Sequence, residues 1–197
     1  MNHKTQNHET ETVDAKKVAL TNGLIWTAIN IFIFLATYYA MPKLFGSFSY
    51  GIISFLISIG LAIYFILDIR KKIGGYWSFK EALSNIFIMF FVQYLLYTLF
   101  VFGYGKWIEP GYVEHMREIS LNATVEVAER FGGGNQETID QMIAEAEKRV
   151  EKSLNPGLTD FLQATGIAVI LYFVGALIFA AIFKRQRPVF AAVSDED

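Results

Sequence analysis

The sequence predicts an all-α integral membrane protein, a four-helix bundle with an extramembrane helical hairpin between its third and fourth spans. Three observations carry that prediction. Four stretches are apolar over roughly the 20 residues that a bilayer core requires. Between the third and the fourth lies a polar segment with two amphipathic stripes. Lysine and arginine cluster beside the spans, mostly on one side. Composition agrees: 53% of the 197 residues are hydrophobic, with 18 Phe and 10 Tyr, which departs from a soluble average toward a membrane protein. A net charge of −2 creates no field to attract a polyanion, so no nucleic-acid partner is expected. The lack of cysteine excludes disulfides, thiolate metal sites, a cysteine nucleophile and a lipidated N-terminal cysteine.

Residues 1–15 are polar and aperiodic and read as a disordered tail. Residues 16–104 hold the first three spans. The first follows Lys16 and Lys17 and runs from Val18 to Met41, too long for the apolar part of a signal peptide and without a convincing cleavage site. Met41-Pro42-Lys43 makes a turn. The second span is expected from about Leu44 to Asp68, and Gly51, Ser54, Ser58 and Ala62 fall on one face of it. Small residues on one face let another helix approach closely, within this chain or from a second copy. Asp68 is placed to pair with Lys72 at i,i+4. The third span, about Phe79 to Tyr104, carries Asn85 and Gln93, and Asn30 of the first span is an expected hydrogen-bond partner for one of them. These are neutral groups and read as glue between helices rather than as an ion path.

Residues 105–157 form the extramembrane insertion, which is net acidic. Tyr112, Met116, Ile119, Ala123, Val127 and Phe131 recur every three or four residues, then Gly132-Gly133-Gly134 ends the first helix. Asn135 is expected to cap the second, whose stripe is Ile139, Met142, Ile143, Ala146, Val150 and Leu154. Two such stripes pack most simply on each other as an antiparallel hairpin. Asn155-Pro156 reads as N-cap and first residue of the fourth span, within residues 158–187, and 188–197 as an acidic tail. Cations flank the start of span one, the loop at 70–72 and the end of span four. The positive-inside rule therefore puts both termini in the cytoplasm and the hairpin outside.

The stretch Arg70-Lys71-Lys72-Ile73-Gly74-Gly75-Tyr76-Trp77-Ser78-Phe79-Lys80-Glu81-Ala82 organises the chain. Its cations fix the cytoplasmic side. Gly74-Gly75 permits a tight reversal through positive φ. Tyr76 and Trp77 suit the headgroup layer, and Ser78 with Glu81 forms a capping box. This stretch, the amphipathic insertion and Asn155-Pro156 together resemble a family of small four-span membrane proteins of unknown function common in Bacteroidetes. The resemblance covers most of the chain beyond the tail and implies an inner-membrane location and a shared fold. It supplies no catalytic residues.

No nucleophile elbow, phosphate loop, HExxH or dinucleotide fingerprint is present. His115 with Glu114 and Glu118 falls short of a metal site, because no second histidine lies near. Neither a catalytic residue nor a cofactor is expected. The leading expectation is a non-enzymatic inner-membrane subunit or accessory factor of a larger membrane complex, in contact with lipids and other integral membrane proteins, and open to forming a homo-oligomer. Candidate contact residues are Tyr76 and Trp77 at the turn and Tyr112, Phe131 and Met142 on the hairpin. The alternative is a small transporter-like, channel-like or lipid-binding protein. A lipid enzyme is the least favoured reading, since only Asp68 and Glu81 near the turn could serve it.

Overall fold

The computed structural model describes residues 14–45, 47–131, 136–154 and 157–186. Residues 1–13 and 188–197 of the expected tails, the Gly132–Gly134 break, the Asn135 cap and Asn155-Pro156 lie outside them, whereas Asp14 and Ala15, expected in the tail, cap and begin the first helix. Among the described residues there are six α-helices and no strand: α1 Ala15–Ala40, α2 Phe48–Lys72, α3 Phe79–Gly103, α4 Tyr112–Phe131, α5 Gln136–Leu154 and α6 Leu158–Phe183. Four of them, α1, α2, α3 and α6, are long and apolar enough to cross a membrane. The fold is thus the expected all-α four-span bundle with a helical pair between the third and fourth spans.

Helix ends follow local chemistry. Asp14 caps α1 by accepting from Lys16 N at 2.9 Å. The second helix begins later than expected, at Phe48 rather than Leu44. Pro42–Leu44 instead forms a 3-10 turn, and the Ser47 hydroxyl accepts from Tyr50 N at 3.1 Å to cap the new start. Beyond α2, Gly74 and Gly75 take φ of 92° and 85°, a left-handed conformation that other residues reach only with strain. The expected capping box is present: Glu81 N donates to Ser78 Oγ, and Ser78 N donates to the Glu81 carboxylate at 2.7 Å. A π-helical turn, Tyr104–Ile108, extends α3.

The bundle is built on α1 and α3, which run parallel from the basic end. Their closest crossing is at Gly23, where an added Cβ would lie 3.0 Å from Met89 O and 3.1 Å from Val92. α6 packs antiparallel on the other side of α3, and α2 rests on α1. At the basic end Ala19, Ile66, Ile69, Ala82, Ile86, Ala176 and Ala180 close a core shared by all four spans. Trp77 locks it. Its backbone exchanges hydrogen bonds with Arg185 (2.9 and 3.1 Å) and its indole N–H donates to Phe183 O at 2.9 Å. Within the same core Asn22, 1% exposed, donates to Asp68 at 2.9 Å and to Phe65 O at 3.3 Å. Asp68 also takes the expected bond from Lys72, at 2.7 Å.

At the opposite end Phe34, Tyr38, Tyr104 and Tyr112 form a second, aromatic core. Tyr112 packs its ring against Gly105, where a Cβ would come within 2.6 Å of it. The Tyr39 and Tyr104 hydroxyls lie 2.6 Å apart, and His115 Nδ1 lies 3.3 Å from the Tyr38 hydroxyl. These contacts seat α4 on the bundle. α5 packs back on α4, with Ile139 buried and Met142, Ile143, Ala146 and Val150 half-buried, as its stripe predicts. On α4 the stripe drifts, since Ala128 is buried and Val127 exposed. Lys152 ties the end of α5 to Asp160 in α6 at 2.8 Å.

Candidate functional site: an intramembrane aromatic cleft

Between the two cores the four spans do not close. α2 joins the shared core through Ala62, Phe65, Ile66 and Ile69, while its earlier half, from Tyr50 to Ile59, borders an open space. The result is a cleft of about 530 Å³. α1 and α3 form its back, and its mouth lies between α2 and α6.

Its base is a run of rings. Phe65 stacks on Trp26 at 5.9 Å, Phe90 meets Trp26 edge-on at 5.7 Å, and Phe179 meets Phe90 edge-on at 5.8 Å. Edge-to-face pairs align the positive ring edge with a negative ring face, which holds each ring in a fixed pose. Tyr97 and Tyr172 continue the wall.

Polar groups interrupt this lining. Trp26 is 5% exposed, and its Nε1 is buried without a hydrogen-bond partner among the described residues. One helical turn on, the Asn30 side chain faces the cleft from α1, and Gln93, 6% exposed, faces it from α3. Neither amide is hydrogen-bonded to a described residue. Ser54 and Ser58 line the α2 side, and the Ser58 hydroxyl returns to Ser54 O at 2.8 Å. An unmatched N–H in hydrocarbon costs several kcal/mol, so the Asn30 and Gln93 amides mark a place where a lipid-soluble acceptor is stabilised.

The candidates from sequence divide. Asn30, Gln93, Ser54, Ser58 and Ala62 converge on the cleft. Gly51 does not line it. Asn85 cannot meet Asn30. The Gly23–Met89 crossing sets Asn85 level with residue 19, eleven residues and about 16 Å before Asn30. Asn85 donates instead to Glu81 O of its own helix at 2.7 Å, and its Oδ1 is buried without a partner among the described residues.

Of the expected contact residues, Trp77 and Tyr112 are buried within the chain. Trp77 is 3% exposed and bonded to the end of α6, and Tyr112 is 8% exposed inside the aromatic core. Both rings find closer partners within the chain than at a surface. Burial, reinforced by Tyr38, pushes the Tyr112 hydroxyl up to about 12, so it stays neutral there. Tyr76 is half-buried with the Arg185 guanidinium 5.3 Å from its ring centre. Met142 is half-buried on α5, and the Phe131 side chain lies outside the described residues. His115 turns to Tyr38, and Glu114 lies 3.7 Å from Arg117.

Sequence reading missed Trp26, Phe90 and Tyr172. A signal existed for the first. Tryptophan prefers the membrane interface, and Trp26 stands eleven residues inside α1.

The chain belongs to the family of proteins of unknown function DUF4199, which matches residues 17–185. Neither curated proteins nor solved structures gave a match.

Proposed function

We propose that this DUF4199 member is a non-enzymatic binding protein of a bacterial inner membrane, holding a small lipid-soluble molecule in the cleft between α2 and α6. The observation that carries this reading is the pair of carboxamides, Asn30 on α1 and Gln93 on α3, that line an aromatic cleft without a hydrogen-bond partner among the described residues. The clustered cations at one end support an orientation with both termini in the cytoplasm and the α4–α5 pair outside. Extraction of the protein purified in mild detergent, with mass spectrometry of the extract, tests the reading. A near-stoichiometric lipid species is expected, and it is lost in Ser58→Phe, which fills the cleft. Lipid of bulk membrane composition, unchanged by Ser58→Phe, overturns the proposal.

A second reading, an accessory subunit of a larger membrane complex, draws on the outer face of α2. There Ile52, Ile53 and Leu56 are exposed beside Gly51 and Gly60, which leave room for another helix. Affinity purification from native membranes should then return a stoichiometric integral membrane partner. A lone chain counts against it.

A further inference from the structure

We infer that the ligand of the cleft is an isoprenoid quinone, its ring held against Trp26 and Gln93 and its tail leaving between α2 and α6. This rests on the lipid-binding reading above and narrows it by three physical constraints.

The first is depth. Asn30 and Gln93 each lie ~15 Å from the nearer end of their helix and more than ~20 Å from the other. In a hydrocarbon layer about 30 Å thick that is near the middle. A phospholipid carries its charge at the surface, and dragging that charge to mid-depth is costly. A ligand that engages these groups has neutral polar atoms which travel into the hydrocarbon.

The second is the sign of the polar groups. Each carboxamide offers two N–H donors beside its carbonyl. They face the cleft from both helices of its back wall, Asn30 from α1 and Gln93 from α3. A quinone presents carbonyl acceptors on opposite sides of one ring, and so matches donors on two helices. A plain hydrocarbon matches none. A fatty acid or an alcohol places its oxygens at one end.

The third is shape. The base and walls are flat rings in fixed poses, Trp26, Phe90, Tyr97 and Tyr172, which favour a planar conjugated guest. About 530 Å³ accommodates a ring and the start of a tail rather than a whole lipid. The mouth faces lipid, where the exposed apolar side chains Phe55 and Ile57 of α2 can cover the remaining isoprene units.

The test uses the full chain in nanodiscs of defined phospholipid, titrated with ubiquinone-2 or menaquinone-2 and, separately, with oleic acid and diacylglycerol. Quenching of tryptophan fluorescence reads quinone binding, and competition with bound quinone reads the other amphiphiles. Saturable quenching is expected, with half-saturation raised about ten-fold or more by Gln93→Leu and by Asn30→Leu, each of which removes donors. Gly60→Ala, outside the cleft lining, should leave it unchanged. Both cleft variants replace an amide by an apolar side chain of similar size, and Ser58→Phe gives a second way to block the site. Linear, unsaturable quenching that the variants do not alter overturns the quinone. Direct binding of oleic acid or diacylglycerol that Ser58→Phe abolishes would then preserve the lipid reading. No saturable binding of any amphiphile removes both.

Discussion

One face of α1 carries Asn22, Trp26 and Asn30 at intervals of four residues, and the two halves of that face meet different surroundings. Asn22 is closed in by α2 and gives its protons to Phe65 O and Asp68. Trp26 and Asn30, one and two turns further, face the gap that opens where α2 swings away. The same helix thus shows a polar group used as an internal tie and polar groups left free to bind something else. Polarity in a transmembrane helix does not by itself separate these roles. What separates them is whether a neighbouring helix comes near enough to supply the partner.

The largest expected effect lies at the packed end. Trp77→Ala should cost about 3–5 kcal/mol, the usual range for emptying a large core site, because it also removes the bond to Phe183 O. Thermal unfolding in detergent measures it. A loss under about 1 kcal/mol would mean that this end is no tighter than the cleft.

The direct contrast pairs Asn22→Leu with Gln93→Leu. The first removes the Asn22 bonds to Phe65 O and to Asp68, which keeps Lys72, and should cost about 1–3 kcal/mol. The second removes an amide with no internal partner and should be neutral or stabilising without ligand. Equal losses at both sites would break the distinction between tie and binding group.

Glycines sharpen it at the smallest scale. Gly23→Ala pushes against Met89 O and should destabilise by about 1–3 kcal/mol. Gly51→Ala meets open space and should gain up to about 1 kcal/mol of helix propensity. Gly105→Ala, set against the Tyr112 ring, belongs with Gly23 and should loosen α4 from the bundle, which raised amide exchange across residues 112–120 would reveal. If all three glycines behaved alike, the packing contrast between the regions would be wrong.

Sequence alone determined what depends on local chemistry and on the bilayer. Apolar run length specified four spans, glycines at 74 and 75 specified the reversal, Ser78 and Glu81 the cap, and i,i+4 spacing the Asp68–Lys72 pair. Each rests on residues a few positions apart, so one dimension contains it. The tertiary structure decided which helices are neighbours and in what register. That register puts Asn85 out of reach of Asn30, turns Trp77 and Tyr112 inward, and gathers Trp26, Asn30, Gln93 and Tyr97 around one space. These residues lie on different helices, and a transmembrane helix with apolar residues on every side gives no amphipathic signal of which face is covered. The cleft comes from the divergence of α2, a property of packing between helices that no single stretch encodes.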